Sequence, residues 1–392
     1  MANLQITCHC GALSQTLTNV QKTESEIPLC HCYGCRHTTG QLFASYIKLP
    51  LTSLESVAGA NELTEYTAVA GGATRPTVKL YFCSTCGCHI FRSITSKSQN
   101  TIELASGTLV DSDGSRLDDS FTRFGPHVNV AETGDGGLAK WMTNIPTQSR
   151  ETTPHYSQSD IVTSSASGHD ADIHMASCLC KRVTFQVHAP TEASLSPHSH
   201  FADLIIPFHT QDPDIKNPSN VKWWMRKNNT RFMAGTCACK SCRLVSGFEI
   251  QSWAFVPRVN IMFATRDSNS DDDGKNSNTT WEILNFDKLH RNGTLIGYES
   301  SPGVLREFCP SCGATVFWHD TSRPELIDVS AGLLVPIASS GDSGEGVRVE
   351  SLLEWWAERV SFAEDAVLGR KGDAERRARW LVESLQSNMR SK

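Results

Sequence analysis

Seven cysteines, spaced Cys8-x-Cys10, Cys30-x-Cys32-x-x-Cys35 and Cys83-x-x-Cys86, recur downstream as Cys178-x-Cys180, Cys237-x-Cys239-x-x-Cys242 and Cys309-x-x-Cys312. The sequence reads as a tandem duplication of a zinc-binding module. Cysteines one or two residues apart can place two thiolates on one metal, and zinc takes such donors in a tetrahedron. Seven thiolates divide into a closed four-sulfur site and a three-sulfur site, and the three-sulfur site leaves a position for water or substrate. The spacing leaves open which pairs combine.

The pairing of the halves extends to residues with no role as ligands. Arg36, Gly40, Ser45 and Pro50 follow Cys35 at the offsets at which Arg243, Gly247, Ser252 and Pro257 follow Cys242. Apolar runs ending at those prolines, the runs leading into Cys83 and Cys309, and the segments after each final pair (Ile90-Phe91, Val316-Phe317) read as short strands. Both modules are therefore expected to be mainly β. The chain divides into a first zinc module at 1–143, a polar linker at 144–172, a second module with insertions at 173–348, and a C-terminal helical segment at 349–392. One insertion, around residues 197–220, lengthens the path from Cys178 to Cys237. The other holds an acidic run, residues 267–274, that reads as a solvated loop rather than a calcium site because it lacks the regular ligand alternation. Leu353, Trp356, Val360, Ala363 and Val367 at steps of three and four predict one amphipathic helix, and Ala378, Leu381 and Leu385 a second. Arg376, Arg377 and Arg379 are assigned to its solvated face, and the apolar stripe is expected to dock onto the protein itself.

Among 392 residues there are fifteen cysteines, and 39% of the chain is hydrophobic, with no apolar run of the roughly 20 residues that span a bilayer. Residues 1–8 lack the basic segment and apolar core of a secretory signal, so the expectation is a reducing compartment, cytoplasmic with the nucleus as the alternative, and metal ligation rather than disulfides. A formal charge of -6 argues against a general nucleic-acid binder and favours small-molecule chemistry.

Both halves resemble the glutathione-dependent formaldehyde-activating enzyme family, which also includes centromere protein V. The resemblance rests on Cys8-His9-Cys10-Gly11, Cys30-His31-Cys32-Tyr33-Gly34-Cys35-Arg36, Phe82-Cys83-Ser84-Thr85-Cys86-Gly87 and Ala105-Ser106-Gly107-Thr108-Leu109. The counterparts are Cys178-Leu179-Cys180, Cys237-Ala238-Cys239-Lys240-Ser241-Cys242-Arg243, Phe308-Cys309-Pro310-Ser311-Cys312-Gly313 and Ser330-Ala331-Gly332. It implies two β-tents, each of short antiparallel sheets held by zinc, with up to two Zn2+ per module and four per chain. It implies a structural zinc on Cys8, Cys10, Cys83 and Cys86, and another on Cys178, Cys180, Cys309 and Cys312. The reactive zincs are implied on Cys30, Cys32 and Cys35, and on Cys237, Cys239 and Cys242. The activity implied is that of a carbon-sulfur lyase acting on a thiol such as glutathione and a carbonyl electrophile, with S-hydroxymethylglutathione as the prototype product. A zinc with three thiolates can take a substrate thiol as fourth ligand and hold it as thiolate.

Other residues carry weaker signals. Cys88 could complete the first triplet, but Ala314 stands at the equivalent position, so a buried packing role is preferred. His31 lies within the first triplet where the second has Ala238, which favours an ordering hydrogen bond over an essential role. Arg36 and Arg243 would suit a substrate carboxylate or a structural ion pair. His9, His37, His89, His127 and His319 lack a repeated partner at ligand spacing, and Trp223-Trp224 reads as core. Gly11 becomes Lys181 in the second half, so ancestral chemistry is placed in the first module, which lies nearer the family pattern. The modules are expected to pack as an intramolecular pseudo-dimer. Two alternatives compete with the enzyme: a non-catalytic zinc-stabilised module that binds a protein or nucleic acid, supported by the arginine-bearing C-terminal helix, and a zinc-thiolate redox sensor.

Overall fold

The computed structural model describes residues 2–20, 26–49, 61–69, 76–96, 100–111, 123–148, 172–202, 204, 216–265, 280–337 and 345–389. It is mainly β, as the short alternating segments predict. In the first half the strands are β1 (Ala2–Thr7), β2 (Ser14–Val20), β3 (Glu26–Cys30), β4 (Ala44–Leu49), β5 (Leu63–Val69), β6 (Thr77–Cys83), β7 (His89–Thr95), β8 (Asn100–Ala105), β9 (Leu109–Asp111) and β10 (Arg123–Val128). A seven-stranded sheet runs β10-β3-β4-β8-β7-β6-β5, and a smaller one runs β2-β1-β9. Among the described strands of this half, β10 and β3 alone pair in parallel. The one early helix, α1 (Tyr33–Thr39), begins at Cys32 and stops at Gly40, whose left-handed conformation (φ 78°) ends it without steric cost.

The second half has β11 (Ile173–Ser177), β12 (Thr184–His188), β13 (Met225–Arg226), β14 (Arg231–Cys237), β15 (Gln251–Pro257), β16 (Ile261–Thr265), β17 (Thr280–Ile283), β18 (Ile296–Ser301), β19 (Val304–Phe308), β20 (Thr315–Asp320), β21 (Leu326–Ser330) and β22 (Leu353–Trp355). Its large sheet runs β14-β15-β21-β20-β19-β18, with β22 parallel to β14 and β13 also on β14. Strand for strand this is the order of the first large sheet, β22 standing where β10 stands. Helix α2 (Lys240–Ser246) repeats α1, starting at Cys239 and ending at Gly247 with φ 87°. The small sheets differ: β11-β12-β16-β17 has β12 at its interior, where the first half has β1.

The two halves touch through reciprocal contacts. The Gly332 amide donates to Gly40 O at 3.1 Å and the Gly107 amide to Gly247 O at 2.9 Å. His9 N–H donates to Leu244 O at 3.1 Å, and Leu179 N–H, from the equivalent position, to His37 O at 2.8 Å. The Cys83–Cys86 and Cys309–Cys312 turns each close on a positive-φ glycine, and a Cβ on Gly87 would lie 2.6 Å from the Phe308 ring, one on Gly313 2.6 Å from Phe82. Strands β15 and β21 are buried along their whole length, which is why they read as near-continuous apolar runs rather than alternating ones.

The C-terminal segment departs from the helical expectation. Leu353 begins not a helix but β22, which pairs with Phe232–Ala234 register on β14, and Ala363–Val367 form only a short 3-10 turn. The spacing of Leu353, Trp356, Val360, Ala363 and Val367 satisfied a helical period, but the open edge of β14 offered a ladder of backbone hydrogen bonds that the local pattern could not reveal. The second helix forms as expected, as α4 (Gly372–Met389) after the short α3 (Phe286–Arg291). Ala378, Leu381, Val382, Leu385 and Met389 pack with Leu138 and Trp141 of the first half. Arg376 and Arg379 are solvated, but Arg377 is buried, in contrast to its expected exposed position. Ahead of α4, Arg370 forms a two-pronged ion pair with buried Glu249 at 2.7 and 3.1 Å and donates through Nη2 to Ser106 O and Gly107 O, each at 3.5 Å, tying the tail to both halves.

Of the expected linker, residues 149–171 lie outside the described residues, as does the acidic run 267–274. Residues 144–148 are packed against the first half: Ile145 is buried, Thr147 bridges His127, and the Asn144 side-chain amide donates to Ser384 Oγ at 2.7 Å. The insertion around 197–220 is closed by a bridge between Phe201 and Lys216, and Trp223 and Trp224 are core residues.

Candidate metal centres

The fold gathers the cysteines into four groups. Cys8 and Cys10, in the turn after β1, meet Cys83 and Cys86 at the end of β6; Cys178 and Cys180 meet Cys309 and Cys312 in the same way. The triplets Cys30, Cys32, Cys35 and Cys237, Cys239, Cys242 form two further groups, and within each group the sulfurs lie within 4.8 Å of one another. All fifteen cysteines are free thiols. Sulfur separations are 3.5 Å for Cys8–Cys10, 3.6 Å for Cys10–Cys83, 3.4 Å for Cys178–Cys180 and 3.5 Å for Cys180–Cys309 and Cys30–Cys32. A tetrahedral zinc with bonds of about 2.3 Å needs sulfurs about 3.8 Å apart, and a disulfide needs about 2 Å. The donor sets fit zinc after a small relaxation.

Backbone geometry preforms each group. In the four-sulfur groups, the Leu13 and Val183 amides donate to Cys8 Sγ and Cys178 Sγ, each at 3.4 Å. In the triplets, Cys30 and Cys237 end strands β3 and β14, and Cys32 and Cys239 cap α1 and α2. Their sulfurs accept from the Cys35 amide at 3.3 Å and the Cys242 amide at 3.2 Å. Such N–H donors stabilise thiolate, the form that binds metal. Side-chain hydrogen bonding with Cys32 and Cys35 holds the Cys30 thiol well below its ordinary range despite burial; that with Cys237 and Cys239 does the same for Cys242.

The triplets gain no fourth Cys, His, Asp or Glu donor among the described residues. Cys88 is buried apart from them, its thiol donating to His89 O at 3.5 Å, and Ala314 fills its place in the other half. His31 is not turned to the sulfurs: its Nε2 lies 2.9 Å from His127 Nδ1, and burial lowers its pKa to about 3. His37 is buried against Ser177 O and also held neutral by burial. His9 contacts Tyr298 Oη and Ser241 Oγ across the seam. Arg36 and Arg243 are buried, with neither a carboxylate partner among the described residues nor the solvent access that a substrate carboxylate would need. Arg36 Nε donates to His31 O, while Arg243 donates to Gly107 O and Leu368 O.

Two arginines that the cysteine pattern did not single out lie beside the triplets. Arg92 Nη1 lies 3.8 Å from Cys35 Sγ, and Arg306 Nη1 3.4 Å from Cys242 Sγ. They are not equivalent in sequence. Arg92 is on β7 opposite Leu80, and Arg306 is on β19 opposite Trp318, so each module brings its guanidinium from the other member of the same cross-strand pair. Aligning the halves pairs arginine with tryptophan and leucine, which conceals the match. In addition, the Asn129 side-chain amide donates to Cys30 Sγ at 3.2 Å. The tyrosines at equivalent edge-strand positions, Tyr66 opposite Leu80 and Tyr298 opposite Arg306, reach the four-sulfur group of the other half. Burial and the sulfurs of Cys86 and Cys10 push Tyr298 up to about 12; burial and Cys312 raise Tyr66 likewise.

Residues 3–124 match the family model of the glutathione-dependent formaldehyde-activating enzyme. The match takes in the first four-sulfur group and the first triplet, and the second half gives no match of its own. No curated protein matches the chain, and no solved structure does. The first part of the chain thus carries an enzyme-associated family signature, and the four thiol groups of the whole chain, two of them in this part, could hold metal.

Proposed function

We propose that the protein is a zinc-dependent carbon-sulfur lyase-type enzyme built as a tandem duplication, with its modules packed as an intramolecular pseudo-dimer. The modules comprise 1–143 and 173–348, joined by 144–172 and followed by the tail 349–392. The observation that carries this reading is the contrast between two four-sulfur groups and two groups that stop at three sulfurs. The first kind suits a closed structural zinc, the second a zinc with one position left for a substrate. The equal strand order and the reciprocal glycine contacts support the duplication and its pseudo-twofold packing.

The substrates on this reading are a thiol such as glutathione and a carbonyl electrophile such as formaldehyde. In the synthetic direction, the sulfur–carbon bond forms as the carbonyl π bond breaks, and the thiol proton ends on the new hydroxyl; the lyase direction reverses this. Zinc held by Cys30, Cys32 and Cys35, or by Cys237, Cys239 and Cys242, would supply a centre that favours the thiolate form of the substrate. The chain's own residues fix the sulfur donors through the Cys35 and Cys242 amides and place the guanidinium groups of Arg92 and Arg306 beside them. His31 takes no part, being buried against His127. A partner-binding role for the C-terminal helix is disfavoured because its apolar stripe is covered by Leu138 and Trp141. No described helix is long and apolar enough to cross a membrane, and abundant free thiols suit a reducing compartment, cytoplasmic or nuclear.

The test is zinc stoichiometry with X-ray absorption at the zinc edge, with and without glutathione, in the parent, Cys32→Ser and Cys239→Ser. Four zincs are expected, with sulfur gained at a three-thiolate site when glutathione is added. Two zincs, or four sites indifferent to thiol, would overturn the enzymatic reading.

A further inference from the structure

The triplets differ in the charge that surrounds them. In the first, Arg92 is already committed: its Nε and Nη2 meet Glu103 Oε2 at 2.7 and 2.6 Å, and its guanidinium lies 4.0 Å from the centre of the Tyr46 ring. In the second, Arg306 donates through Nε to Ser300 Oγ at 3.2 Å and through Nη1 to Cys242 Sγ, and no carboxylate among the described residues pairs with it. Three thiolates and a divalent metal carry one net negative charge. Arg306 cancels it. The Arg92–Glu103 pair, itself neutral, does not. Buried Arg36 and Arg243 stand alike beside the two triplets, so an incoming thiolate meets one more uncompensated positive charge at the second site than at the first.

Access and side-chain supply point the same way. Cys30, Cys32 and Cys35 are all buried, whereas Cys239 is partly exposed and is followed by the exposed Lys240. The Asn129 side-chain amide that occupies Cys30 Sγ has no side-chain amide counterpart among the described residues of the second site. Val128 O and Ser361 O accept the equivalent amides of His31 and Ala238, so the following residue, Asn129 in one half, is Phe362 in the other. Phenylalanine cannot donate to sulfur.

We propose that the second triplet, not the first, is the site that accepts an anionic thiol, and that Arg306 is the positioning residue that makes it receptive. This reverses the expectation that chemistry belongs to the half nearer the family pattern, and it rests on the thiol-binding reading of the triplets. The full chain loaded with cobalt(II) reports on sulfur ligation through its thiolate-to-metal absorption. Cys32→Ser leaves the second triplet intact and Cys239→Ser the first, and each is titrated with glutathione and with 2-mercaptoethanol. Cys32→Ser is expected to respond at least about tenfold more tightly than Cys239→Ser, the scale of one charge-assisted hydrogen bond. Adding Arg306→Gln to Cys32→Ser should weaken the response by a similar factor, and Arg306→Lys should recover part of it while cobalt content is unchanged. An equal response of the two single variants, or a tighter one from Cys239→Ser, overturns the inference but leaves the thiol reading standing. No response from either removes both. Should Arg306→Gln fail to fold, the comparison of the cysteine variants and the Arg306→Lys result decide the matter.

Discussion

Gly332 is the position where the packing of the halves can be tested with one methyl group. Its backbone is not in the left-handed region, so alanine there carries no conformational strain of its own. An added Cβ would nevertheless lie 2.2 Å from Gln41 O and 2.5 Å from Gln41 C in the other half. Both sides are backbone, so about 1 Å of retreat must come from the seam itself, at a cost of about 1–3 kcal/mol, with about 1 kcal/mol more for the stretched Gly332-to-Gly40 hydrogen bond. Gly11→Ala is the control: φ is 76° and nothing lies within 4 Å, so only left-handed strain of about 1–2 kcal/mol is added. Lys181, at the equivalent position with φ 62°, already tolerates that conformation. Gly40→Ala combines both, with φ 78° and a Cβ 2.3 Å from Thr315 O. Thermal unfolding should therefore rank Gly40→Ala as the most destabilised, then Gly332→Ala, then Gly11→Ala. The Gly332→Ala midpoint should fall by on the order of 10 °C, taking about 2–4 °C per kcal/mol for a large domain. If Gly332→Ala unfolds no earlier than Gly11→Ala, the halves do not pack through this contact in solution.

If zinc occupies the four-sulfur groups as proposed, removing Cys309 should release one zinc and unfold the half that holds it, because metal binding and folding share one free energy; circular dichroism and zinc release checked together would show a loss confined to that half. Cys88→Ala should keep both zinc content and stability within about 1 kcal/mol, since Ala314 already occupies that place in the other half. His89 and His127 are buried, with burial holding each at about 4. Between about pH 6.5 and pH 4 the unfolded chain therefore binds protons that the native state refuses. Their stabilisation is complete above 6.5 and is lost as the pH falls, by about 1.4 kcal/mol for each at pH 5.5. His290 works in the opposite sense: its hydrogen bond to Glu307, 2.7 Å long, raises its pKa, so its contribution is present in acid and lost at high pH. Urea midpoints for the parent and His127→Gln across this range should converge at low pH; parallel curves would remove His127 from the account.

The cysteine spacing and the offsets shared by Arg36 and Arg243, Gly40 and Gly247 made the matching local turns of the two halves legible, because ligand pairs and left-handed helix ends depend on residues close in sequence. The strands flanking Cys83 and Cys309 were equally legible from their apolar residues and the turns that bound them. Which cysteine pairs combine did not follow from spacing, since Cys8 and Cys83 meet only when β1 and β6 are brought together by the sheets. The helix expected from Leu353 failed for a related reason: its periodicity is local, but the vacant edge of β14 that captures it is created more than a hundred residues earlier. Arg92 and Arg306 were hidden because facing strands can supply the same guanidinium from either side, a substitution that alignment scores as a mismatch. The sequence by itself determined the donor inventory and the repeated local turns. The tertiary structure decided which thiols share a centre, which half lends its tyrosine to the other, and how charge is balanced beside each triplet, because these depend on distances between residues that the chain order does not set.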